Sequence, residues 1–218
     1  MKFAREAWPF VLPFWVAAGI AVALGHSSLG AALAVLGLAV LLFFRDPARS
    51  FEGDASVVLA PADGLVTGVE LLEEPSVGEG RFQRIVTFLS AFDVHVQRVS
   101  ADGKVVTSRL QRGRKVAAFR EDAGEVNEAY LTVLERSGSD GDSFIGDRLG
   151  IRQISGLMAR RVVCYLEEGQ EVRRGQHLGL IKFGSRVDLY VPEGYEVLVQ
   201  KGDRLKNGAT PVARPPSP

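Results

Sequence analysis

The distribution of apolar positions divides the chain in two. From Ala7 to Phe44 no Asp, Glu, Lys or Arg occurs, although these types make up 24% of the sequence. After "FFRDPARS" (43–50) the long apolar runs give way to short β-branched runs separated by glycine, a strand pattern and not a helical one. The first region predicts two apolar helices, from about Pro9 to Leu24 and from about Leu29 to Phe44, broken at "GHSS" (25–28). A single helix crosses the hydrocarbon core with about 20 residues, so two fit this region better than one. Each is slightly short and Pro9 and Pro13 come early, so the hairpin either spans the bilayer or dips into one leaflet. A cleaved signal peptide has one apolar stretch, and the second helix argues against it. A buried hairpin of a soluble protein is the other reading. Lys2 and Arg5 precede the hairpin and Arg45 and Arg49 follow it, which places both ends in the cytoplasm at a cell membrane.

Two regions are therefore expected: a membrane-associated helical hairpin over 1–46 and a mostly β domain over 47–218. The predicted strands are Val57–Ala60, Gly64–Leu71, Arg84–Leu89, Val94–Val99, Gly103–Leu110, Ala129–Glu135, Arg148–Gln153, Arg161–Tyr165, His177–Phe183 and Val187–Val191, with a polar turn or loop over 135–147. "EGQEVRRGQHLGLI" from Glu168 and "KGDRLKNGATPVAR" from Lys201 share two glycines and a branched apolar residue at matching offsets. Such a turn recurs in barrel-sandwich modules of the lipoyl/biotinyl-like kind, and the resemblance suggests that fold without a function. Two unrelated turns that both use glycine for positive φ are the alternative.

Charge narrows the partners. Lys and Arg total 26 and so do Asp and Glu, so no global basic field favours nucleic acid. Cys164 is the only cysteine, and His26, His95 and His177 are scattered, so no metal-ligand spacing is present and no metal is expected.

"KFGSRVDLYVP" (182–192) carries the candidate chemistry. A serine hydroxyl can attack the preceding carbonyl, giving an ester by N-to-O acyl shift, and glycine at that position removes the Cβ that would crowd the attack. β-Elimination then cuts the chain and leaves dehydroalanine, which loses ammonia on hydration and becomes a pyruvoyl group. Such a ketone condenses with a primary amine to a Schiff base and draws electrons from the adjacent carbon. Gly-Ser alone is no evidence in a chain with 24 glycines; the motifs before it are. "FFRDPAR", "APADG" (60–64), "FLSAFDVHVQRVSADG" (88–103), "QISGLMARRVVCYL" (153–166) and "GLIKFGSRVDLYVP" (179–192) follow in order. In that order the chain resembles the phosphatidylserine decarboxylases, in their short, archaeal-type form.

The resemblance implies a pyruvoyl-dependent enzyme that converts phosphatidylserine in the membrane to phosphatidylethanolamine and CO2. It implies cleavage between Gly184 and Ser185 into a β chain, 1–184, and an α chain, 185–218, headed by the pyruvoyl made from Ser185. Asp63 and His95 match the family's catalytic positions. His95, with a side-chain pKa ordinarily near 6.5, is expected to protonate the carbon that loses CO2. It alternates with Val94 and Val96, so if those face the core it points to solvent or a cleft. Larger relatives carry a second histidine where this chain has Arg98, which leaves the base for self-cleavage open between Asp63 alone and His95 serving both stages, with Asp93 a further candidate. Arg186 and Arg98 are the candidates for the substrate's phosphate or carboxylate, and Arg109, Arg112, Arg114 and Lys115 form a basic group that either meets an anionic surface or is simply solvated. A homo-oligomer is left open. The alternative function is a membrane-tethered carrier or adaptor module of the lipoyl/biotinyl-like kind, with Lys182 as the modified residue.

Overall fold

A computed structural model describes residues 1–113, 126–138, 142–156, 161–182 and 185–216. The chain forms two compact units, Met1–Ala48 and Arg49–Pro218.

In the first unit, β1 (Lys2–Phe3) leads through a 3-10 turn (Arg5–Ala7) into α1 (Trp8–Ala23), followed by α2 (Ser27–Phe43) and β2 (Arg45–Asp46). Pro9 sits in the first turn of α1, where its missing N–H costs nothing. The helices close together where side chains are smallest. A Cβ on Gly30 would lie 2.5 Å from Val22 Cγ2, and one on Gly37 would lie 2.6 Å from Trp15 Nε1, so glycine sets the approach of the two backbones. The outward faces are apolar and exposed, with Leu12, Val16, Ile20, Val35, Leu36 and Leu38 among them. Arg5–Ala23 is long and apolar enough to cross a membrane, and Ser27–Phe43 is a shorter apolar helix. β1 pairs with β2, Lys2 opposite Asp46 and Phe3 opposite Arg45, which holds both ends of the hairpin side by side.

The second unit is built almost wholly of strands. They are β3 (Val58–Leu59), β4 (Gly64–Glu73), β5 (Arg81–Leu89), β6 (Val96–Arg98), β7 (Gly103–Gln111), β8 (Ala129–Arg136) and β9 (Arg148–Ser155). β10 (Val162–Cys164), β11 (Glu171–Val172), β12 (His177–Ile181), β13 (Ser185–Pro192), β14 (Glu196–Val197), β15 (Arg204–Leu205) and β16 (Pro211–Arg214) complete them. Among the described residues they form an antiparallel eight-stranded sheet, β11-β7-β8-β9-β13-β5-β4-β15, and two three-stranded sheets, β10-β12-β6 and β14-β16-β3. The domain is mostly β, as expected, and the ten predicted strands are all present with ends moved by up to three residues.

Period-two alternation puts one row of the large sheet into the core. Val187, Leu189 and Val191 of β13 join Ile85, Leu89, Leu149 and Ile151 from the neighbouring strands and Leu178, Ile181 and Val212 from the small sheets. Each such side chain contributes about 1.5–3 kcal/mol on burial. The intervening Tyr190 packs on the other face with Val77, Phe82, Leu131 and Val133.

The sequence echo is a structural repeat. Gly169, Gly175, Gly202 and Gly208 all have positive φ. Val172 of β11 pairs with Gly103 at the head of β7, and Leu205 of β15 pairs with Gly64 at the head of β4. The surrounding backbone bonds repeat too: Gly169 N donates to Val105 O at 2.8 Å, and Gly202 N donates to Val66 O at 2.9 Å. Each repeat thus edges one half of the large sheet, the two-copy construction expected of a barrel-sandwich.

Candidate active site

Ser185 opens β13, the strand with a partner on both sides near the middle of the large sheet. Its backbone stands opposite Leu89 of β5 and Ser155 of β9. The residue before it, Gly184, lies outside the described residues, as do Arg114 and Lys115. Leu89 is the last residue of β5, and the chain then turns through Ser90–Asp93 to His95. Asp93 organises that turn. Its Oδ2 accepts from Ser90 N at 2.8 Å and from Ser90 Oγ at 2.7 Å, and its Oδ1 accepts from Arg204 at 3.2 Å. This arrangement gives Asp93 a structural occupation.

His95 is buried, 1% exposed, as are Val94 and Val96. The alternation that would turn it toward solvent does not operate, because β6 begins only at Val96 and both Val94 and His95 precede it. Nδ1 of His95 stands 2.9 Å from Asp93 O. A carbonyl only accepts, so Nδ1 carries the hydrogen and Nε2 is the basic nitrogen of the neutral ring. Ile181 N donates to His95 O at 3.3 Å, so the histidine's backbone runs alongside the segment that leads into Ser185.

Asp63 lies in the turn before β4, whose Leu65 pairs with Phe88, at the same end of the sheet. It is 8% exposed. Oδ1 accepts from Asn207 N at 2.8 Å and Oδ2 from Arg49 Nη2 at 2.9 Å. Asn207 is the residue that sequence reasoning missed. It is 1% exposed, its Nδ2 donates to Val96 O at 2.9 Å, and its Oδ1 accepts from Arg98 Nε at 3.0 Å. One residue thus ties the Asp63 turn, through its backbone N–H, to the strand that follows His95, through its side-chain amide.

The two arginines chosen for an anionic substrate have protein acceptors. Arg98 donates to Asn207 and to Gly175 O at 3.0 Å. Arg186 makes a two-pronged pair with Asp188, 2.7 Å from Nε to Oδ1 and 2.8 Å from Nη2 to Oδ2, the planar match that favours arginine over lysine. Asp188 is fully buried, and burial pushes its carboxyl up while Arg186, and then Arg84 and Arg152, pull it down.

A carbonyl group at position 185 would meet a prepared surrounding. The hydroxyl of Ser155, directly opposite, is buried without a hydrogen-bond partner among the described residues. A buried hydroxyl left unpaired costs about 1–3 kcal/mol, and a carbonyl oxygen there would offer an acceptor. Asn127 Nδ2 donates to Ser155 O at 2.6 Å, which fixes the strand end that presents this hydroxyl. No grouping of His, Cys, Asp and Glu suited to a metal ion occurs among the described residues.

The phosphatidylserine decarboxylase family model matches residues 36–213. The chain belongs to that family. A phosphatidylserine decarboxylase proenzyme of Symbiobacterium thermophilum is 42% identical over 214 residues, covering 98% of this chain and 95% of that one. The proenzyme of Cupriavidus pinatubonensis is 36% identical over 214 residues, covering 96% and 94%. That of Paramagnetospirillum magneticum is 38% identical, covering 96% and 85%. Family membership along nearly the full length favours the decarboxylase reading over a carrier modified at Lys182.

Proposed function

We propose that the protein is a pyruvoyl-dependent carboxy-lyase that cuts itself between Gly184 and Ser185 and then converts phosphatidylserine to phosphatidylethanolamine and CO2. The observation that supports this reading is the place of Ser185: it heads a strand paired on both sides, opposite Leu89, the residue before the turn that leads to His95, and at the end of the sheet where Asp63 precedes β4.

In maturation, Ser185 Oγ attacks the Gly184 carbonyl and the peptide nitrogen leaves, giving an ester and a free amine on residue 185. Loss of the Cα proton of residue 185 expels the Gly184 carboxylate. The dehydroalanine so formed takes up water and releases ammonia, leaving the pyruvoyl group at the head of the α chain, 185–218. Both oxygens of Asp63 already accept N–H donors, which supports an orienting part for it and leaves proton removal to His95 Nε2.

The pyruvoyl group supplies a carbonyl that takes the substrate's amine and withdraws electrons from the carbon that loses CO2. His95 holds its basic nitrogen in the buried site by the Nδ1 bond to Asp93 O, and Nε2 delivers the proton that replaces the carboxyl group. The buried, unpaired Ser155 Oγ opposite residue 185 supports a donor role toward that carbonyl. The buried surroundings exclude water, which strengthens each of these interactions.

The apolar hairpin tethers the enzyme to the membrane that holds its substrate. Cations at both hairpin ends, held together by the β1–β2 pairing, support a cytoplasmic catalytic domain.

Intact-mass measurement of the purified full chain tests the reading, with release of CO2 from phosphatidylserine vesicles. Pieces 1–184 and 185–218 are expected, the second with a blocked N-terminus, and Ser185→Ala remains one inactive chain. His95→Ala is expected to lose more turnover than cleavage. An uncut wild-type chain that nevertheless decarboxylates, or a Ser185→Ala chain cut normally, would overturn the proposal.

A further inference from the structure

The turn that links β5 to His95 carries an exposed aromatic ring. Phe92 is 87% exposed, the most exposed large hydrophobic side chain among the described residues. A single exposed apolar residue is ordinary, but this one stands on a braced turn. Asp93 takes Ser90 N, Ser90 Oγ and the Arg204 guanidinium on its carboxylate, and its carbonyl meets His95 Nδ1. The turn starts at the residue after Leu89, the backbone partner of Ser185. The ring therefore projects from the turn that leaves the strand paired with Ser185 and leads into His95. Arg204, held to this turn through Asp93, has Leu65, 36% exposed, as its cross-strand partner. The Arg204 side chain is itself 70% exposed. An exposed aromatic tip, with an exposed arginine that meets the same turn through Asp93 and stands across from Leu65, matches the interface of a bilayer, where rings sit at headgroup depth and cations meet anionic lipid.

We propose that Phe92, with Leu65 and Arg204, is the lip by which the catalytic domain enters an anionic phospholipid surface, so that a lipid headgroup leaving the bilayer is delivered at the end of the sheet where Ser185 and His95 lie. The inference rests on the decarboxylase reading for its purpose, while insertion itself can be read without turnover. The hairpin keeps the enzyme on the membrane; the lip aims the site at it.

Two measurements on the full chain decide the matter. The first compares rates on vesicles containing phosphatidylserine with rates on a short-chain phosphatidylserine below its critical micelle concentration. Phe92→Ser is expected to lower the vesicle-to-soluble ratio about tenfold, the scale set by losing burial of one phenyl ring, and Phe92→Trp is expected to restore it. An unchanged ratio, or an equal fall on both substrates, overturns the proposal. The second places a tryptophan at 92 in a chain carrying Trp8→Phe and Trp15→Phe, and measures fluorescence quenching by brominated lipid in phosphatidylserine-containing vesicles. Quenching is expected even for a chain held inactive by Ser185→Ala, and its absence overturns the lip. Quenching without any decarboxylation by the wild type would leave the lip standing and remove the decarboxylase reading.

Discussion

At Ala62–Gly64 and at Ala101–Gly103 the chain makes the same turn from the same three residues. In each, the aspartate Oδ1 accepts a backbone N–H from one of the repeated hairpins: Asp63 from Asn207 at 2.8 Å, Asp102 from Arg174 at 2.7 Å. In each, the glycine allows a close pass. A Cβ on Gly64 would lie 2.3 Å from Phe88 O and one on Gly103 would lie 2.4 Å from Glu135 O. Around these shared bonds the two halves diverge. Asp63 is buried and carries Arg49 on its second oxygen; Asp102 is half-buried and has no ion pair among the described residues. The first edges the half of the sheet that contains Ser185, the second the half that does not. Asp102 therefore serves as an internal control for the turn: what the shared backbone bond does, Asp102 does, and what Asp63 does beyond it rests on its buried charge and its pairing with Arg49.

The widest separation is expected for asparagine at the two positions. Asn keeps an oxygen for the backbone N–H and removes the charge. Asp63→Asn should slow self-cleavage by about 100-fold or more, the scale of proton transfer lost when the base is no longer oriented. Asp102→Asn should mature normally and change stability by about 0.5 kcal/mol at most. Time courses of chain cleavage on denaturing gels, beside urea midpoints, check both. Equal cleavage rates in the two variants would mean that Asp63, too, is only a turn residue.

The repeated hairpins sharpen the contrast one step further out. Asn207 and Arg174 occupy matching places, but Arg174 Nη1 donates to the carbonyls of Asp54 at 2.7 Å and Val57 at 3.1 Å, whereas Asn207 bridges Val96 and Arg98. Asn207→Ala strands buried groups at about 1–3 kcal/mol and loosens the strand that follows His95. It is expected to slow maturation about tenfold, a smaller effect than loss of the Asp63 charge. Arg174→Ala should destabilise the chain by a similar amount and mature at the wild-type rate. The ratio of cleavage rates, measured well below both melting temperatures, separates them; parallel slowing would reduce Asn207 to a structural peg.

The halves also show what the sequence makes legible. Long strands were readable because alternating β-branched residues run through them, and the hairpin because charge is absent from it. The two-residue strands β3, β11, β14 and β15 are another matter: only β3 falls within a predicted run, and the rest are too short to carry a period. The echo was visible as matching glycines, since the positive φ at Gly169 and Gly202 admits little else. Asn207 was not visible, because its counterpart is an arginine and only the fold brings it beside Asp63. Alternation would turn His95 to solvent or a cleft if Val94 and Val96 face the core; all three are buried, because an alternation argument needs a strand and the strand begins one residue later. Arg98 and Arg186 fit the chemistry of an anion site, yet sequence alone could not reveal that Asn207 and Asp188 stand close enough to engage them.

The smallest effect is expected where the two faces of the large sheet are compared. Tyr195 is 4% exposed, and its hydroxyl donates to Asp147 Oδ2 at 2.8 Å and accepts from Arg136 Nη1 at 2.9 Å. Tyr190, on β13 with Arg186 and Asp188, is fully buried, and its hydroxyl has no hydrogen-bond partner among the described residues. Burial pushes its pKa up to about 12, so the group stays neutral through the pH range in which the protein would be assayed and titration adds nothing. Hydrogen bonds to charged partners contribute about 1.5–3 kcal/mol, whereas a buried hydroxyl with no partner only costs desolvation. Tyr195→Phe should therefore lower the unfolding free energy, read from denaturant titration, by that amount. Tyr190→Phe should leave it unchanged or raise it by about 1 kcal/mol, because the ring still packs against Val77, Phe82, Leu131 and Val133. A loss above about 1 kcal/mol in Tyr190→Phe would mean that the hydroxyl has a partner after all, a buried water included, and that this face of the sheet is as fully bonded as the one around Tyr195.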